Sequence, residues 1–107
     1  MSAMTAGYVP VARVGEIPDG GVKVVRVGDQ AIAVFRLGSE YFALDDVCTH
    51  DGGPLAEGII EGEEIECPRH GARFNIKSGA VLCLPATAPV NTYPVRIEDG
   101  EIQVRWS

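Results

Sequence analysis

The chain has 107 residues, 15 acidic against 9 basic side chains, a formal net charge of −6, and a 46% hydrophobic share. That length makes one domain, read here as residues 1–107, with a small core. The negative balance argues against nucleic acid as a partner, because phosphate would be repelled, and no apolar run approaches the length of a membrane span.

Met1 to Gly7 has no basic start and no apolar centre, so it does not read as a secretory signal. Tyr8 to Arg13 alternates loosely and is expected to form an edge strand. Gly15 to Gly21 is a turn cluster with room for a single helical turn. Val22 to Val27 is rich in β-branched residues, and Gly28-Asp29 turns the chain. Gln30 to Leu37 has the composition of a buried strand. Gly38-Ser39 turns again, and Glu40 to Leu44 forms the next strand.

That strand leads through Asp45-Asp46-Val47 into Cys48-Thr49-His50. Between Leu55 and Glu66, Ile59-Ile60 and Glu64-Ile65-Glu66 read as a short hairpin around Glu61-Gly62-Glu63. Cys67-Pro68-Arg69-His70 follows. Ala72 to Ile76 reads as a strand, Lys77-Ser78-Gly79 as a turn, and Ala80 to Leu84 as a further extended segment. Pro85 to Pro89 is a proline loop. Tyr93 to Glu98 and Glu101 to Trp106 read as the arms of a last hairpin, with Asp99-Gly100 as its turn. No long helical period appears, so the expected class is all-β, built from many short antiparallel strands.

The chemistry is concentrated in two stretches, C-x-H at Cys48 to His50 and C-x-x-H at Cys67 to His70. The only two histidines and two of the three cysteines fall there. Each stretch is followed by turn-making residues: Asp51-Gly52-Gly53-Pro54 after the first, Gly71 after the second. Loops that wrap a metal centre need backbone conformations that side chains disfavour, which gives these glycines a reason beyond an ordinary turn. Two thiolates and two imidazoles suit a tetrahedral zinc site. They equally suit a 2Fe–2S cluster in which one iron takes two Cys and the other two His. Zinc modules usually pair like with like, whereas each loop here is mixed.

At these residues the sequence resembles the Rieske family, closely from Cys48 to about Phe74. The resemblance implies a β-sandwich base carrying a small cluster-binding subdomain. It implies that Cys48 and Cys67 hold one iron and His50 and His70 the other. It places Pro85 and Pro89 in a third loop covering the cluster. Rieske proteins of cytochrome bc-type complexes carry an extra, disulfide-forming cysteine in each loop; the matching positions here are Gly53 and Arg69. Those proteins also place hydroxyl donors to cluster sulfur where this chain has Ala72 and Phe74. Lost donors leave the reduced cluster's extra negative charge less stabilised. The expected potential is therefore near the bottom of the roughly −150 to +300 mV range of Rieske centres.

The stretch from Cys48 to Phe74 resembles the soluble Rieske ferredoxins, which include the ferredoxin components of bacterial aromatic-ring dioxygenase systems. They imply a monomeric cytoplasmic electron carrier, itself no enzyme, serving a flavin- or nicotinamide-linked reductase and a terminal oxygenase. Ferredoxins of iron–sulfur assembly and the small subunit of assimilatory nitrite reductase share the pattern. A zinc-stabilised interaction module is the alternative from another class. With two cysteines assigned to metal, Cys83 has no disulfide partner, which agrees with a reducing compartment. It lies in an apolar run and is expected to be buried. Glu57, Glu61, Glu63, Glu64 and Glu66 make the segment between the motifs acidic, either as a solvated face or as a docking patch for a basic partner.

Overall fold

The computed structural model describes residues 7–47, 54–67, 71–83 and 88–106. Eleven short strands form three antiparallel sheets among these residues. The strands are Tyr8–Arg13 (β1), Val22–Val27 (β2), Gln30–Leu37 (β3), Glu40–Asp45 (β4), Ile59–Glu61 (β5), Glu64–Glu66 (β6), Arg73–Asn75 (β7), Val81–Cys83 (β8), Thr92–Tyr93 (β9), Val95–Glu98 (β10) and Glu101–Arg105 (β11). The sheets run β1-β11-β10, β2-β3-β4-β9 and β5-β6-β7-β8. No helix among the described residues is long and apolar enough to cross a membrane.

The middle sheet explains the uninterrupted apolar run of β3. Successive side chains of a strand point to opposite faces. Ala33 and Phe35 enter one buried cluster with Leu44, Leu55, Ile65, Cys67, Ala72 and Phe74. Ile32 and Val34 enter a second with Ala43, Ile102 and Val104. The centre of the strand, Ile32 to Phe35, is buried on both faces, so residues 31–35 read as a continuous apolar run rather than alternating, and the polar Gln30 and Arg36 fall at its partly exposed ends. The β5–β8 sheet is therefore packed onto the base through the first cluster, as the expected sandwich and subdomain require.

Turn chemistry closes the last hairpin as the sequence suggests. Asp99 and Gly100 have φ of 53° and 77°, the left-handed pair that a two-residue hairpin turn needs. The preceding strand departs from expectation. Tyr93–Glu98 is divided: β9 pairs with β4, and β10 pairs with β11. Pro94 lies between them and has no N–H for either ladder. Its carbonyl accepts from the Arg105 amide at 2.9 Å, and the chain changes sheets at the proline. Residues 15–21 form turns rather than a helical turn, and one 3-10 turn forms instead at Leu55–Glu57.

Cys83 also departs from expectation: it is exposed. β8 is the outer strand of its sheet, and the register slips between Arg73 opposite Cys83 and Phe74 opposite Val81. The slip leaves Leu82 as the extra residue of a bulge, and both Leu82 and Cys83 face solvent. An apolar run reports hydrophobicity, not whether its strand has a neighbour on both sides.

Candidate metal centre

Of the four expected ligands, Cys67 is described. Cys48, His50 and His70 lie outside the described residues, as do Gly52, Gly53, Pro68 and Pro85. Cys67 follows β6 and is 1% exposed, inside the cluster that joins the β5–β8 sheet to the base.

The second motif is closed at its neck. The Cys67 amide donates to the Ala72 carbonyl at 2.7 Å, and the Gly71 amide donates to the Cys67 carbonyl at 3.2 Å. Gly71 has φ of +77°, a left-handed conformation costly for any residue with a Cβ. A loop that wraps a metal centre and an ordinary tight turn both call for such a glycine. Glu66 and Arg73, directly opposite one another on β6 and β7, flank the loop. Their side chains pair at 2.7 Å, a side-chain link beside the backbone bond between residues 67 and 72.

The first motif is held in a comparable way. The strand that leads into it ends at Asp45. The next residue, Asp46, accepts the Ala56 amide on its Oδ1 at 2.7 Å, bridging the segment before the motif and the segment after it. Leu55 is fully buried beneath this bridge.

The two necks are brought together at Gly58. A Cβ on Gly58 would lie 1.9 Å from the Glu66 carbonyl oxygen, so only a glycine fits against the residue preceding Cys67. Ile59 then pairs with Glu66 as the first rung of the β5–β6 ladder. The exit of one motif and the entry of the other therefore share a wall.

A third segment closes on this region. Gly79 has φ of +75°, and a Cβ there would lie 2.2 Å from the Val90 carbonyl oxygen. The Val90 amide donates to the Gly79 carbonyl at 2.9 Å. Asn91 and Tyr93 reach Asp45 at the end of β4. Asn91 Nδ2 donates to Asp45 Oδ2 at 3.0 Å, and the Tyr93 hydroxyl donates to Oδ1 at 2.5 Å. Burial, with the Asp45 carboxylate beside it, pushes the Tyr93 hydroxyl up to about 12.

The acidic segment is largely ion-paired. Arg73 binds Glu61 at 2.8 Å, Glu64 at 3.1 Å and Glu66 at 2.7 Å. The carboxylates of Glu61 and Glu64 hold its guanidinium protonated well above the usual arginine range. Lys77 pairs with Glu63 at 3.2 Å.

A protein-family comparison matches residues 7–94 to the Rieske 2Fe–2S domain. The chain belongs to the Rieske 2Fe–2S domain family. Its relatives include the ferredoxin component of the naphthalene 1,2-dioxygenase/salicylate 5-hydroxylase systems from Ralstonia sp. That protein is 38% identical over 102 residues, which cover 95% of this chain and 98% of the relative. The 3-phenylpropionate/cinnamic acid dioxygenase ferredoxin subunit of Photorhabdus laumondii is 44% identical over 98 residues, 91% of this chain and 92% of that one. Among solved structures, a chain in the complex of reduced oxygenase and oxidized ferredoxin of carbazole 1,9a-dioxygenase superposes with a TM-score of 0.88 at 34% identity, covering 94% of both chains.

The cofactor of this Rieske chain is one 2Fe–2S cluster, and the described residues fit it. The one candidate ligand among the described residues, Cys67, is a buried thiol where the second motif begins, beside the segment that follows the first. The motif spacing locates the four candidate ligands. It does not reveal Asp45, Asp46, Gly58, Arg73 or Asn91, which fix the loop bases. Two adjacent aspartates just before Cys48 are the one sequence signal for any of them, since such residues favour side-chain bonds to nearby backbone.

Proposed function

We propose that the protein is a low-potential electron carrier of an aromatic-ring dioxygenase system. It takes single electrons from a flavin- and NAD(P)H-linked reductase and delivers them to a terminal oxygenase. In this reading residues 1–107 form one Rieske domain, acting as a cytoplasmic monomer. Cys48 and Cys67 bind one iron as thiolates, and His50 and His70 bind the other through ring nitrogens. The cluster supplies reversible one-electron chemistry at iron. The chain supplies the two closed loops, the buried wall between them, and a surface through which partners approach.

The observation that carries the proposal is the shared wall at Gly58 and Glu66, which brings the bases of the two mixed Cys/His motifs together. A bridging cluster needs ligands from both loops at once. The family membership and the near-complete overlap with dioxygenase ferredoxin components support the same reading. Ala72 and Phe74, both fully buried and without hydroxyls, support the low potential.

The test is a reconstituted chain of transfer. An NADH-linked flavoprotein reductase of a dioxygenase system should reduce the purified protein by one electron per chain, and a terminal oxygenase should reoxidise it in a single turnover. Both rates should fall as salt rises, because the net charge of −6 steers encounter with basic partners and salt screens it. Reduction without reoxidation by the oxygenase would point to another acceptor. Rates that do not change with ionic strength would leave the glutamates around Arg73 and Lys77 with a structural role alone.

A further inference from the structure

Asp45 is the last residue of β4 and is 7% exposed. Both of its carboxylate oxygens are engaged, Oδ1 by the Tyr93 hydroxyl and Oδ2 by Asn91 Nδ2. Neither donor carries a positive charge. Its own amide donates to the Asn91 carbonyl at 3.0 Å, so residues 45 and 91 are joined by backbone and side chain together. An anion removed from water and held by neutral donors keeps more of its field than one paired with a cation.

Its place in the chain gives that field a target. Asp45 lies three residues before Cys48, so their Cα atoms are at most about 11 Å apart. Asp46, the next residue, bridges the neck of the first motif through the Ala56 amide. Asn91 and Tyr93 follow the segment that Gly79 grips through Val90. One carboxylate thus joins the strand entering the first ligand loop to the return of the third.

We propose that Asp45, anchored by Tyr93 and Asn91, is a positioning residue of the metal centre. It fixes the base of the first ligand loop, and its fixed negative charge disfavours the more negative reduced state. The role rests on the assignment of Cys48 as a ligand. It acts separately from the missing hydroxyls at positions 72 and 74: those are donors withheld, whereas Asp45 is a charge supplied.

Two substitutions with opposite expected signs test it in the cluster-loaded protein. Asp45→Asn removes the charge at nearly constant shape. Were the carboxylate about 11 Å from the cluster, in a medium of effective dielectric about 20, one unit charge would shift the reduction equilibrium by about tenfold, or about 59 mV for one electron. The midpoint potential should rise by that order. Tyr93→Phe keeps the anion and removes the donor that partly offsets it, so the midpoint should fall. A network with only a structural role would move both variants in the same direction, or would change the rate of iron release to a chelator without moving either potential.

Voltammetry at one fixed pH, with electron paramagnetic resonance to establish that the cluster is intact, reads the outcome. An Asp45→Asn protein with a full cluster and an unmoved midpoint overturns the proposal. If that variant does not retain its cluster, Tyr93→Phe decides alone: a lower midpoint upholds the role, and the wild-type value overturns it. A wild-type protein lacking the signature of mixed Cys and His ligation defeats the ligand assignment itself, a different failure from an unresponsive Asp45.

Discussion

Adding one oxygen at Ala72 and one at Phe74 tests how the potential is set. Both side chains are fully buried. The Ala72 backbone is fixed to Cys67 by the 2.7 Å bond from the Cys67 amide, so a serine Oγ there is held close to the ligand loop rather than swinging free. A hydroxyl in such a place has two fates. If it reaches cluster sulfur, it stabilises the reduced state more than the oxidised one, because that state carries one more negative charge. Bonds to charged groups are worth roughly 1.5–3 kcal/mol against about 0.5–1.5 for neutral ones. A differential near 1 kcal/mol corresponds to about 40 mV for a one-electron couple. If the hydroxyl finds no partner, burying it costs about 1–3 kcal/mol, seen as a lower thermal midpoint. Ala72→Ser and Phe74→Tyr should therefore each raise the potential by some tens of millivolts, and the double change should raise it further. Voltammetry and thermal unfolding of the three variants measure both fates. Unmoved potentials in variants whose hydroxyls are shown by crystallography to reach sulfur would refute the reasoning.

Gly79→Ala should destabilise the fold markedly. The left-handed backbone alone costs on the order of 1–3 kcal/mol for a residue with a Cβ, and the new Cβ would meet the Val90 carbonyl at 2.2 Å. A thermal midpoint unchanged from wild type would contradict the close approach of residue 90 to the β7–β8 turn. Tyr93 gives a pH prediction. Its folded pKa is raised from 10.0 to about 12, so the folded state holds the proton more tightly than the unfolded chain does. That contribution is complete below pH 10 and is lost as pH rises toward 12. Tyr93→Phe should therefore flatten the fall in stability over that window, and parallel curves for the two proteins would show that the hydroxyl does not contribute.

The fold was legible wherever one strand's pattern reflects its own burial. β2, β3 and β4 lie where β-branched and apolar runs end in Gly-Asp and Gly-Ser turns, and the Asp99-Gly100 turn adopts the conformation its residues favour. The errors came where a residue's fate depends on a partner in another segment. Pro94 divides an alternating run between two sheets, because a missing N–H matters only once both ladders are known. Cys83 is exposed because β8, among the described residues, has no outer neighbour. The four candidate ligands stand out as spaced motifs of reactive residue types. The groups that fix them do not: Arg73 reaches Glu61 across twelve residues of sequence, and Asp45 reaches Tyr93 across forty-eight. Such contacts leave no local pattern, and Gly58 looks like any turn glycine until Glu66 lies against it.

The central claim is that two mixed Cys/His loops hold one 2Fe–2S cluster. Iron, zinc and acid-labile sulfide analysis of the purified protein, paired with electron paramagnetic resonance of the reduced form, tests it most directly. The account predicts about two irons and two sulfides per chain, a red-brown oxidised protein, and a signal characteristic of one iron held by two Cys and the other by two His. A colourless protein containing stoichiometric zinc and no sulfide would contradict it.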